Sequence, residues 1–141
     1  MALEPRPCAH RIRVRYGETD QMGVAYHAHY LMWFEEGRTE WLRRSGRTYR
    51  SLEDEGILLA VTEVRIEYRK PVRYDDVITV TTRLLDRRRV TLRFGYTIRL
   101  EGGEDVVAEG ETELACIDRS GRLRRLPPGL GDPDPGSPGP D

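Results

Sequence analysis

Lysine is nearly absent: Lys70 stands alone beside 22 arginines, and these cations are balanced by 24 acidic residues to a formal net charge of −1. Without a basic excess the chain lacks the field that supplies most nucleic-acid affinity, so no nucleic-acid partner is expected. Cysteine is almost as scarce. Cys8 and Cys116 are too few for a disulfide framework and lack the paired spacing of a zinc site, which points to a reduced, cytoplasmic setting. No apolar run approaches membrane-spanning length, and "MALEPRPCAH" has neither the charged start nor the apolar middle of a signal peptide, so membrane insertion is not expected. What is present, 141 residues of which 38% are hydrophobic, is enough for one compact domain.

The last stretch, "PPGLGDPDPGSPGPD", alternates Pro, Gly and Asp and cannot bury enough apolar surface to offset its ordering entropy. The expected division is a folded domain over residues 1–126 and a disordered tail over 127–141. Within the domain, two-residue alternation is pervasive. Ile12, Val14 and Tyr16 alternate with arginines; Val64, Ile66 and Tyr68 do the same, as do Ile78, Val80 and Leu84. The longest run places Val90, Leu92, Phe94, Tyr96, Ile98 and Leu100 opposite Thr91, Arg93, Thr97 and Arg99. A last strand sets Val106, Ala108, Leu114 and Cys116 against Glu109, Glu111 and Glu113. One apolar and one polar face per strand predicts an antiparallel sheet, since parallel strands are covered on both faces. The short "DRRR" and "EGGED" connections predict hairpins and a meander from Ile78 onward.

One segment changes period. Tyr30, Trp33, Phe34, Gly37 and Trp41 fall on the i, i+3, i+4, i+7 stripe of a helix over Tyr30 to Ser45, with Gly46 as its stop. Gly37 costs about 1 kcal/mol relative to Ala in an exposed helix interior, so its place on the apolar stripe predicts close approach to the sheet. A short helical turn before Gly56 is expected. Strand, long helix and four more strands predict an α+β domain, a five-stranded antiparallel sheet wrapped around one long central helix. Open sheet edges favour pairing with a second copy.

The connection into that helix, "YGETDQMGVAYHAHY", holds two carboxylates, a glycine and two histidines. Three readings compete: a metal site, a carboxylate active site and a polar turn. His27 and His29, one residue apart, diverge by about 200° on a helix and do not converge on one metal as an i, i+4 pair does. Glu18 and Asp20 share a side of an extended segment, which permits a paired-carboxylate reading or a solvated turn. Asp20 precedes a helix start, where unpaired N–H groups and the dipole attract negative charge; taken alone, an aspartate there is usually a cap or turn former.

The run from Tyr16 to Leu42 resembles the signature of the hotdog-fold acyl-CoA thioesterases, in the group of 4-hydroxybenzoyl-CoA thioesterases and YbgC-like enzymes. That group usually reads Tyr-x-Asp-Thr-Asp-x-x-Gly-x-Val-Tyr-His-x-Asn-Tyr and then Glu-x-Ala-Arg-x-Glu-Trp-Leu, and the later "YRKPVRYDD" is similar to its Lys-Pro and Asp pattern. The resemblance implies a thioester hydrolase acting on a small or medium acyl-CoA. It implies Asp20 as nucleophile or general base, and His27 as the residue whose backbone N–H polarises the thioester oxygen. Gly23 is then the turn glycine, with Tyr30 and Glu35 as further substrate-binding positions. It further implies a homodimer or homotetramer with the site at a subunit interface, and no cofactor beyond the coenzyme A of the substrate. Glu18 stands where the group usually has Asp, and Gln21-Met22 replaces smaller residues.

For the coenzyme A phosphates, Arg69 and Lys70, with Arg73, are the local candidates, because cationic forks bind phosphate oxygens well; Arg87 to Arg89 read better as a solvated turn. Glu35 and Arg38 are spaced to interact on one helix face, and Glu40 reads as a surface ion-pair residue. Two other functions compete: hydrolysis of an acyl-carrier-protein thioester, and a non-catalytic acyl-CoA-binding or adaptor role.

Overall fold

A computed structural model describes residues 6–130. The expected tail from residue 131 onward lies outside the described residues. The elements in chain order are β1 (Cys8–Arg13), α1 (His29–Arg44), α2 (Tyr49–Asp54), β2 (Leu58–Tyr68), β3 (Val77–Arg87), β4 (Thr91–Leu100) and β5 (Val106–Ile117). They form one five-stranded antiparallel sheet in the order β1-β3-β4-β5-β2, with α1 packed against it. The sheet and long helix expected from the pattern are present, as is the hotdog arrangement that the resemblance implied.

The core lies between α1 and the inner sheet face. Phe34 stacks on Tyr96 with ring centroids 4.2 Å apart, and the Trp41 ring meets Phe94 edge-on at 5.0 Å. Gly37 touches the sheet as predicted: a Cβ there would lie 2.5 Å from Thr82 Oγ1 and 2.9 Å from Val80 Cγ1. Behind the stripe, the guanidinium of Arg38 is only 7% exposed and donates to Tyr49 Oη at 2.7 Å and Tyr96 Oη at 3.1 Å. Tyr96 Oη in turn shares a hydrogen bond with Thr112 at 2.6 Å. Burial pushes the Tyr96 and Tyr49 phenols up, with Arg38 opposing, so both stay neutral partners for the cation at pH 7. The outer sheet face is an Arg/Glu lattice in which Arg93 reaches Glu63, Glu111 and Glu113.

Four expectations need correction. Tyr16 does not share the buried face of β1, because the strand ends at Arg13 and the chain enters a single 3-10 turn at Tyr16–Glu18, leaving Tyr16 77% exposed. Val64 and Tyr68 alternate as a strand should, yet both are exposed because β2 is a sheet edge. In β5 the register steps between Ile98↔Ala108 and Arg99↔Val106, and this bulge buries Val107 beside Ala108. The packed chain also runs past Leu126: Pro127 and Leu130 are buried, and Arg87 donates to both of their carbonyls.

Candidate active site

The segment between β1 and α1 is a tight hairpin. Thr19 and Ala25 face each other in an antiparallel bridge, Asp20 N donates to Val24 O at 2.9 Å, and Tyr26 N donates to Glu18 O at 2.8 Å. Its tip is the turn Asp20–Gly23, closed by Gly23 N donating to Asp20 O at 2.9 Å. Gly23 has φ +80°, a left-handed conformation that a residue with a Cβ adopts at a cost. The returning leg is pinned from outside, since Ala25 N donates to Val72 O at 2.8 Å and Val24 pairs with Arg73. Folding the chain back this way brings Asp20 beside Val24, with only Ala25 and Tyr26 before His27.

Asp20 is half-buried, and its Oδ1 accepts the Met22 N–H at 2.8 Å, the local turn-forming bond that short acidic side chains favour. Among the described residues its second oxygen takes no hydrogen bond. Met22, at the tip, is 81% exposed.

Helix α1 begins without a cap. Its Ncap residue is Ala28, no side chain accepts from the first turn, and that turn carries no acid. His29 N donates to Tyr26 O at 3.0 Å and Tyr30 N to His27 O at 3.3 Å, whereas the N–H groups of His27 and Ala28 meet no acceptor among the described residues. Leu31 N also bonds back, to Ala28 O at 3.2 Å, so the free N–H groups at the positive end of this 16-residue helix are those of His27 and Ala28. Aromatic rings surround it: Tyr26 lies 4.3 Å from the His27 ring, and Tyr30 packs 4.7 Å from Trp33 and 4.9 Å from Tyr68. Tyr68 Oη donates to His27 O at 2.8 Å and so fixes the peptide plane that carries the Ala28 N–H. Tyr30 is buried, which pushes its phenol up, with the nearby Tyr68 adding to this and a Val72 backbone hydrogen bond opposing it.

Glu18 is neither part of a solvated turn nor a free partner for Asp20. Only 4% exposed, its Oε1 accepts the Arg15 N–H at 2.7 Å and its Oε2 accepts Trp33 Nε1 at 3.0 Å. Charge-assisted bonds of this kind contribute about 1.5–3 kcal/mol each.

Asp20 and Gly23 thus form the hairpin tip, and His27 and Tyr30 the helix entrance, with Glu18 rather than Asp20 opposite Tyr26 where the hairpin meets the helix. Glu35 lies at neither place: it is exposed, two turns farther along α1, and the expected Glu35–Arg38 pairing is replaced by the two tyrosine hydroxyls that hold Arg38. Arg69 pairs with Glu67 and Glu109, and Lys70 with Asp105, all at the surface. Arg73 N donates to Asp76 Oδ2 at 2.8 Å, while its guanidinium makes no ion pair among the described residues and lies 3.7 Å from where a Cβ on Gly23 would sit. Sequence reasoning missed Tyr68 and the burial of Glu18. The aromatic-rich sequence on both sides of the helix entrance was the available signal for the first; nothing local marks the second.

A family model described as the thioesterase-like superfamily matches residues 14–133, which contain the hairpin, the helix and the whole sheet from β2 onward. The chain belongs to the thioesterase-like superfamily. Among its relatives, the acyl-CoA thioester hydrolase YbgC of Escherichia coli O6:H1 is 34% identical over 108 residues, covering 76% of this chain and 79% of the relative. The acyl-CoA thioesterase YbgC of Haemophilus influenzae is 33% identical over 108 residues, 76% of this chain and 78% of that one. In structure, the DHNA-CoA thioesterase of Staphylococcus aureus superposes with a TM-score of 0.82 at 34% identity, over 85% of this chain and 80% of its own. For this superfamily member the matched part holds α1 and strands β2 to β5, so the hairpin and helix entrance sit on the fold its relatives use.

Proposed function

We propose that the chain is an acyl-CoA thioesterase that hydrolyses the thioester of a small or medium acyl-CoA to the free acid and coenzyme A. One pairing of features supports the reading: Asp20, a carboxylate with one oxygen uncommitted, and the free N–H groups of His27 and Ala28 at the start of α1 lie on one short hairpin-to-helix segment. A thioester has an electrophilic carbon and a good leaving group, so a carboxylate and a preorganised oxyanion site suffice without a serine triad.

The thioester carbonyl oxygen is received by the His27 N–H, with the helix dipole behind it; one such donor contributes about 3 kcal/mol to the transition state. Asp20 then acts in one of two ways. As nucleophile, it bonds to the acyl carbon as the C–S bond breaks, the thiolate leaves and is protonated by solvent, and water cleaves the resulting anhydride. As general base, it takes a proton from a water that attacks the same carbon, and the tetrahedral intermediate expels the thiolate. Isotope transfer from labelled water into the enzyme during a single turnover occurs only in the first.

Gly23 keeps the turn tight, and Tyr30 with its aromatic neighbours forms the wall beside the reacting carbon. Glu35, exposed in the single chain, is read as a pocket residue only once a second copy is present. The edge strand β2, with Val61 and Val64 exposed along it and Tyr68 at the helix entrance, supports a homodimer or homotetramer in which that copy completes the site. Arg69, Lys70 and especially Arg73 supply cations for the coenzyme A phosphates; the surface pairs of the first two are weak enough to exchange for phosphate.

The test is free-thiol release from short-chain, long-chain and aromatic acyl-CoAs. Turnover of at least one supports the reading. No hydrolysis across the panel, with binding retained, would leave an acyl-CoA-binding module, and hydrolysis only of acyl-carrier-protein thioesters would move the substrate to the carrier.

A further inference from the structure

We propose that Glu18 is a positioning residue for the reaction: its buried carboxylate locks the Asp20 hairpin onto helix α1. The inference rests on the reading of Asp20 as the reacting carboxylate. A carboxylate 4% exposed is costly to bury and persists only where donors meet it; here one comes from each side of the joint. Arg15 N–H belongs to the chain entering the hairpin, and Trp33 Nε1 belongs to the second turn of α1. The backbone carbonyl of the same residue receives Tyr26 N–H from the chain leaving the hairpin, at 2.8 Å. Glu18 therefore ties three segments whose relative placement sets how far Asp20 stands from the N–H groups at the helix entrance. Without the carboxylate the hairpin keeps its backbone bonds, including Tyr26 N to Glu18 O and Ala25 N to Val72 O, but loses the side-chain link to Trp33 on α1.

The side chain is also matched to its partner. Its length carries the carboxylate to the indole of Trp33, which is fully buried. With both oxygens occupied, Glu18 is not available as a base, so the site presents one free carboxylate rather than a pair.

Glu18→Gln supplies the decisive asymmetry. A carboxamide accepts from one of the two donors and turns its NH2 toward the other, so the lock fails while volume is preserved. Glu18→Gln, Trp33→Phe, their double variant and Asp20→Asn are compared by steady-state kinetics on the best acyl-CoA, by thermal unfolding and by the proton resonance of the Trp33 indole N–H. Glu18→Gln is expected to lower kcat about 10- to 100-fold with KM within about twofold, the size of effect that an ångström-scale misplacement produces. Trp33→Phe removes the donor, so the double variant should be no slower than the slower single one, and the indole resonance should move in Glu18→Gln. Wild-type kcat in Glu18→Gln, or losses that multiply in the double variant, overturn the proposal. If Glu18→Gln does not fold, Glu18→Asp, which is too short to reach both donors, takes its place under the same criteria. Turnover retained in Asp20→Asn refutes the reading of Asp20 instead, and the indole resonance still reports whether the lock exists.

Discussion

Replacing Gly37 by alanine sets two known magnitudes against each other. Helix propensity favours the substitution by about 1 kcal/mol in an exposed helix interior. The packing opposes it, because the new Cβ would stand 2.5 Å from Thr82 Oγ1 and 2.9 Å from Val80 Cγ1, and neither neighbour is the loose end of a long side chain. Relieving such overlaps in a packed core costs about 1–3 kcal/mol, often by shifting the helix. The net expectation is a loss of up to about 2 kcal/mol, a fall in Tm of up to roughly 8 °C for a domain of this size. Thr82 Oγ1 is buried without a hydrogen-bond partner among the described residues, so nothing polar holds it in place. Gly37→Ala/Thr82→Ala should therefore recover part of the loss, read by calorimetry or circular dichroism melts. A Tm at or above wild type for Gly37→Ala alone would refute the claim that the helix is pressed onto the sheet at this residue. Because α1 carries both the stripe and the entrance at His27, a helix displaced there should also show a lower kcat.

Tyr68→Phe removes the hydroxyl that holds the His27 carbonyl, whose peptide carries the Ala28 N–H next to the proposed His27 donor, and should lower kcat several-fold at nearly unchanged Tm; unchanged kcat would mean that this peptide does not contribute to the oxyanion site. Burial raises the thiol pKa of both Cys8 and Cys116, so neither should react with an aromatic disulfide reagent in the native protein at pH 7.5, and both should react in denaturant; two fast native thiols would contradict their burial. The Asp118 carboxylate is held below its usual range by the Ser120 hydroxyl and by backbone N–H groups including that of Arg122. A depressed folded pKa contributes stability above the unfolded pKa, near 4, and loses it as pH falls through the folded value. Asp118→Asn should thus show a smaller Tm difference between pH 7 and pH 3 than wild type, and an equal difference would show that this turn does not contribute.

The readable parts of the fold are those governed by local period. Strand β4 follows its two-residue alternation from Leu92 to Ile98 because it pairs with β5 in continuous register over that run, the irregularity against β3 falling on the β3 side at Leu85, and α1 follows its stripe because each apolar residue on it meets the same sheet face. What defeats the pattern is long-range geometry. The bulge that buries Val107 is one residue of slippage against β4, and the exposure of Val64 and Tyr68 depends on β2 being an edge. Arg38 looked like one partner in a helix-surface pair, but its acceptors come from Tyr96 and Tyr49, distant in sequence and invisible to any i, i+4 rule. The same holds in the site. Asp20, Gly23 and the helix entrance are legible because they lie within one short motif, whereas the Glu18–Trp33 and Tyr68–His27 bonds link residues that only the fold brings together.

The central claim is that Asp20 performs chemistry and is more than a turn former. Turnover of the best acyl-CoA by Asp20→Asn, alongside coenzyme A binding by calorimetry, tests it most directly, since the amide oxygen can still accept the Met22 N–H and keep the turn. The account predicts a fall in kcat of about 100- to 10,000-fold with the Kd for coenzyme A unchanged. A variant that turns over at the wild-type rate would contradict it and reduce Asp20 to a turn-forming residue.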